Sequence, residues 1–193
     1  MSLPGTDGLP VPGPLVAVPV YAGVSELELG IMVTVCRLCG GPDTVRTVSR
    51  SRVSIVTAGG LVSTPHVLYA ALPEPAAVLI PGGPGAQKAA RDPLLRSFLA
   101  AHVTLPTGAS GSGLLLLGEA GTLRGREVGG PADLADTLWG HGVKDVRAGE
   151  TVTDAGLCTA PGGLPALHAA LHVAAALWGP DAAAEAAQRL GHR

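Results

Sequence analysis

The chain has 193 residues, of which 47% are hydrophobic, 15% charged and only 3% aromatic, with a formal charge of −2. That is enough apolar material for the core of one α/β domain, and it excludes an intrinsically disordered chain. No basic excess or Lys/Arg cluster supports a nucleic-acid partner.

Residues 1–14 carry four prolines and three glycines and read as a flexible arm, ahead of a single domain over 15–193. Leu15–Val20 is an apolar run, predicted as a buried first strand. Beyond a turn at Tyr21–Ser25, the spacing over Glu26–Leu38 predicts a helix stopped by Gly40-Gly41-Pro42. Val45–Ser49 and Arg52–Thr57 alternate as strands do, and a Gly59-Gly60 turn leads to a short strand near Leu61–Thr64. Ala77–Ile80 is a buried strand ending in Pro81-Gly82-Gly83-Pro84-Gly85, and Asp92–Ala101 makes a helix. Further on, Ala132–Trp139 is a short helix, and Val143–Arg147 and Glu150–Thr159 are strand-like with glycine turns between them. Gly162–Trp178 is a long Ala/Leu helix ended by Gly179, and Pro180–Leu190 is a last helix opened by proline. Strands alternating with helices predict a mostly parallel sheet with helices on both faces, a flavodoxin-like three-layer α/β sandwich.

The stretch VTLPTGASGSGLLLLGEAG, residues 103–121, organises the rest. It reads as strand, sharp turn and helix, with Gly108, Gly111 and Gly113 allowing backbone angles closed to other residues. The helix directs unpaired N–H groups into the turn, which favours negative charge there. In many α/β enzymes this geometry holds a nucleophile at the apex. Here the apex carries no reactive side chain.

Cys36, Cys39 and Cys158 make an odd count that fits a reducing compartment better than a disulfide framework. Cys36-x-x-Cys39 has no second pair to complete a zinc site and reads as buried small residues. His168 and His172 stand one helical turn apart, and the packing reading is preferred to a metal pair. His66, His102, His141 and His192 read as surface or turn residues. No run has the length of a membrane span and no leader pattern opens the chain, so a cytoplasmic location is expected. No cofactor or metal is expected.

Four segments together resemble the ThiJ/PfpI superfamily, the class I glutamine-amidotransferase-like proteins. They are residues 20–30 (VYAGVSELELG), 77–85 (AVLIPGGPG), 107–126 (TGASGSGLLLLGEAGTLRGR) and 159–179 (TAPGGLPALHAALHVAAALWG). Within it they are most similar to the branch of isocyanide hydratase and the sensor domains of AraC-type regulators. Active members carry a cysteine at the elbow; counting back from Gly118-Glu119-Ala120-Gly121 puts that position at Gly111, with a one-residue shift to Ser110 or Ser112 as the minor alternative. The resemblance implies that Glu28 is the acidic partner of the missing thiol. It also implies that the N–H groups of Gly83 and Ser112 form an anion hole. A histidine position falls at Pro131 and an acidic one at His168. Gly82, Gly83, Ser110, Ser112, Gly113, Pro131 and His168 are thus the expected lining of a site for a small polar molecule.

Three functions follow as expectations. The first is a catalytically degenerate relative that binds a small molecule or is structural. The second is a hydratase or hydrolase in which Glu28 activates water, with Gly83 and Ser112 holding the anion. The third is a detached sensor domain. The superfamily also implies a homodimer, for which Ile31, Met32 and Val35 of the first helix are the expected partner surface.

Overall fold

The structure, a computed structural model, describes residues 13–192. The expected arm at 1–14 lies outside the described residues apart from Gly13 and Pro14. In chain order the strands are β1 (Val16–Pro19), β2 (Val45–Ser49), β3 (Ile55–Val56), β4 (Val62–Ser63), β5 (Val67–Leu68), β6 (Ala77–Ile80) and β7 (Thr107–Ser110). They continue as β8 (Glu127–Gly130), β9 (Asp145–Ala148), β10 (Val152–Asp154) and β11 (Leu157–Ala160). The helices are α1 (Glu26–Gly40), α2 (Ala86–Ala89), α3 (Pro93–Ala101), α4 (Gly113–Glu119), α5 (Ala135–Gly140), α6 (Ala166–Trp178) and α7 (Pro180–Arg189).

Seven strands form the main sheet in the order β10-β11-β7-β6-β1-β2-β5. Every pair is parallel except the β10–β11 edge. Because both faces are covered, the central strands are continuous apolar runs whose alternate residues serve opposite cores. Val16, Val18, Ala77 and Leu79 pack beneath α1, α6 and α7. Ala17, Val78, Ile80 and Ala109 pack with residues of α2, α3, α4 and α5 on the other side. This is the flavodoxin-like sandwich expected from the alternation of elements.

Several boundaries differ from the sequence expectation. The strands read into Arg52–Thr57 and Leu61–Thr64 shrink to the two-residue hairpin pair β3–β4. Its valines face away from the core, Val53 and Val62 being 71% and 72% exposed, and only Ile55 of the pair packs against it. The helix expected from Gly162 starts at Ala166, because Gly162 and Gly163 take φ of +109° and +65°, outside the helical region. Ala132–Trp139 divides into a 3₁₀ turn, Ala132–Leu134, and α5. α2 is one short turn, and β8 pairs in parallel with β9 outside the main sheet; neither carries an apolar period. Met32 and Val35 are fully buried under the sheet, so they cannot form the partner surface expected of α1. The outward face of that helix carries Leu27, Gly30 and Thr34 instead.

Candidate functional site at the strand–helix elbow

The loops that leave β1, β6, β7 and β11 meet at the carboxyl ends of the strands, where open α/β sheets place their ligands. The β7–α4 junction is its centre. Gly111 has φ +55°, whereas Ser112 is already in the right-handed region at φ −68°, ψ −4°. The tight turn therefore falls on Gly111, and its N–H donates to Ala160 O at 2.9 Å. A Cβ there would stand 3.1 Å from Glu28 Oε1 and 3.3 Å from Gly162 Cα. Gly113 is a glycine for a different reason: a Cβ would lie 2.7 Å from Ile80 O, so the first turn of α4 rests directly on the end of β6.

Glu28 reaches this point from the first turn of α1. Ser25 caps that helix, its Oγ accepting the Glu28 N–H at 3.3 Å, and the carboxyl group sits favourably at the helix start. Glu28 is 5% exposed. Its Oε2 accepts the Gly82 N–H at 2.8 Å and its Oε1 accepts the Gly163 N–H at 2.9 Å. One side chain thus ties α1 to the loops after β6 and β11. Tyr21, beside it, donates its hydroxyl to Pro81 O at 2.8 Å. Burial, and then the charge of Glu28, push the Tyr21 pKa well above the usual phenol range, so the hydroxyl stays a donor.

Of the two N–H groups expected to form an anion hole, that of Gly83 is already engaged. The Gly83 N–H donates to Ser112 Oγ at 2.9 Å, and the same hydroxyl donates to Gly83 O at 2.8 Å. Ser112 therefore clasps the loop after β6 and occupies the donor that an anion would need. The hydrogen bonds from backbone to Glu28 come from Gly82 and Gly163 instead, because the left-handed turns at 83 and 162–163 swing those amides inward. Ser110 Oγ is fully buried and is the one buried side-chain polar atom without a hydrogen-bond partner among the described residues.

The remaining expected positions lie further out. Pro131 ends β8 and opens the 3₁₀ turn, its carbonyl accepting the Leu134 N–H; a proline has no N–H to offer a ligand. His168 is an exposed residue of α6 whose ring meets that of His192 edge-on at 5.2 Å, on the outer flank of the α1/α6/α7 layer. His172 Nε2 sits 3.4 Å from Gly156 O. No group of three or more His, Cys, Asp or Glu residues suited to a metal occurs among the described residues.

No cysteine reaches the elbow. Cys36 lies in the α1 core, where burial pushes its thiol up to about 12. Cys39 donates to Ala182 O at 3.4 Å, and burial followed by the charge of Glu185 raises its pKa. Cys158 is enclosed with Ala160 and Ala169 and is likewise raised by burial. Beside the elbow the structure adds a cleft that sequence reading missed, between α2, α4 and α5, lined by Gly83, Ser112, Arg91, Glu119, Thr137 and His141 among others. Those polar residues stand on separate short elements, so no local spacing signals them.

Residues 15–174 match the DJ-1/PfpI family. The chain belongs to the DJ-1/PfpI family. Among solved structures, a ThiJ/PfpI family protein from Pseudomonas syringae is 24% identical with a TM-score of 0.84, over 98% of this chain and 81% of that one. Drosophila melanogaster DJ-1beta is 20% identical with a TM-score of 0.85, over 94% and 99% of the two chains. A cysteine-to-alanine mutant of a DJ-1 superfamily protein from Salmonella typhimurium is 25% identical with a TM-score of 0.77, over 93% and 99%. No curated protein shows a significant sequence match. No helix among the described residues is long and apolar enough to cross a membrane.

Proposed function

We propose that this DJ-1/PfpI member is catalytically degenerate and binds a small polar molecule at its elbow without covalent chemistry. One observation carries the reading: the apex of the turn, marked by its positive φ, is Gly111 and presents no side chain. Thiolate chemistry needs a sulfur that is exposed and electrostatically favoured. The three cysteines are raised in pKa and held in α1 and β11. The neighbouring hydroxyls are no substitute, since Ser112 Oγ is bonded to both ends of Gly83 and Ser110 Oγ is enclosed.

The alternative in which Glu28 activates water is not favoured by its bonding, because both carboxyl oxygens already accept backbone N–H groups. Glu28 is better read as the tie that keeps the elbow in shape. The reading places the chain in the isocyanide hydratase and sensor-domain branch, on the resemblance of residues 20–30, 77–85, 107–126 and 159–179 taken together, and takes it as a cytoplasmic homodimer. A dimer contact is supported by the apolar groove of about 690 Å³ between α1 and α6, lined by Leu27, Ile31, Leu164 and Leu190. Glu26, at the edge of that groove, accepts the Gly59 N–H through its Oε2 and so joins α1 to the turn of the β3–β4 hairpin.

The test is turnover. Hydration of an isocyanide and hydrolysis of a glyoxal adduct are measured with the native protein and with a variant lacking all three cysteines. The expected result is no turnover in either. Turnover that is lost with the cysteines overturns the reading, and turnover that survives their loss reinstates the Glu28 mechanism.

A further inference from the structure

Next to the elbow, the cleft between α2, α4 and α5 has a volume of about 330 Å³, the size of a small metabolite. Its floor is apolar, built from Ala90, Leu115 and Leu134, and its rim carries Gln87, Arg91, Glu119, Thr137 and His141. Arg91 and Glu119 have opposite charge and line the same cleft. Yet neither forms an ion pair with the other or with any described residue.

The cleft is also structurally maintained. Gly118 stands inside α4, where glycine costs about 1 kcal/mol relative to alanine. A Cβ there would collide with the imidazole of His141, whose Nε2 would be only 2.8 Å away. The missing side chain lets the ring lie against the α4 backbone and form one wall. At the upper end, the Ser112–Gly83 clasp joins the cleft to the elbow turn.

The geometry points to a binding site for a small zwitterion of the α-amino-acid type with a short apolar side chain. The carboxylate pairs with Arg91, whose planar fork suits it. The ammonium pairs with Glu119, and the apolar side chain lies on Leu115 and Leu134. This assignment rests on the reading of the protein as a non-covalent binder, and it places the ligand in the cleft that Gly83 and Ser112 share with the elbow.

The experiment is an NMR titration of the isotope-labelled full chain with three probes. They are L-leucine, 4-methylpentanoate, which lacks the amino group, and 3-methylbutylamine, which lacks the carboxylate. Arg91→Ala and Glu119→Ala are studied beside the native protein; both positions are exposed, so folding is not at stake. L-leucine is expected to give saturable shifts around residues 91, 119 and 141. Each truncated probe and each variant is expected to bind about ten-fold more weakly or worse, the loss of one charge-assisted contact. No saturable shift with L-leucine, equal binding of the truncated probes, or unchanged affinity in both variants overturns the assignment. Such a failure leaves the degenerate reading standing, because that reading is judged by turnover with and without cysteines.

Discussion

Replacing Glu28 by alanine removes the acceptor of two N–H groups at once. Gly82 is buried and Gly163 half-buried, and their bonds to the carboxyl oxygens are 2.8 and 2.9 Å long. A hydrogen bond to a charged group contributes about 1.5–3 kcal/mol, and a stranded buried donor costs about 1–3 kcal/mol. Water can reach Gly163 in the variant, and alanine returns a few tenths of a kcal/mol through helix propensity. The expected net loss is therefore about 2–4 kcal/mol. For a domain of this size that corresponds to a fall in Tm of roughly 5–15 °C. Glu28→Gln keeps one acceptor oxygen but sets an NH₂ against the second N–H, and should fall between the two, about 1–2 kcal/mol below the native protein. Urea unfolding with an unchanged m-value gives the comparison. An alanine variant within about 0.5 kcal/mol of the native protein would refute the role of Glu28 as the tie between α1 and the two loops after β6 and β11.

Gly111→Ala should lose at least about 1–2 kcal/mol, since a left-handed backbone opposes any Cβ and this one would stand 3.1 Å from Glu28 Oε1. An unchanged melting temperature would show that the turn can relax out of the positive-φ region. His66 supplies an acid-sensitive contact. Its Nδ1 accepts the Thr47 N–H at 3.0 Å and so must be unprotonated. Partial desolvation of the ring against the sheet edge, followed by the charges of Arg46, Arg37 and Arg52, lowers its pKa from 6.5. The unfolded chain takes up the proton more readily, so stability is full above about pH 6.5 and declines as the pH falls below it. Stability measured between pH 7 and 5 should fall less steeply in His66→Ala, and equal slopes would remove His66 from the account.

The buried sheet was legible because its strands bury both faces and are therefore apolar throughout, as at Ala77–Ile80. Helix ends were legible where local chemistry marks them: Asp92 caps α3 through Leu94 N–H, and Pro180 opens α7. The elbow was legible too, since a Gly/Ser cluster between a strand and a leucine run has few other uses. The hairpin misled because its valines alternate without a core to face. Gly162 and Gly163 sat at the head of an alanine-rich run and were absorbed into the helix, although the amide of Gly163 is half of the Glu28 clamp. That partner lies 135 positions away from Glu28, and no local pattern encodes such a bond. The Ser112 clasp escaped for the same reason: it joins residues 29 positions apart through a hydroxyl that reads, locally, as an ordinary cap.

The central claim, that this family member has no reactive nucleophile at its elbow, is tested most directly by the alkylation kinetics of the native protein. Iodoacetamide is added near pH 7.5 and each cysteine is followed by mass spectrometry. Burial holds Cys36 at about 12 and raises Cys39 and Cys158, so thiolate is scarce at all three. The account predicts slow modification of every cysteine, with no fast phase. A rapid burst that labels one cysteine stoichiometrically would contradict it.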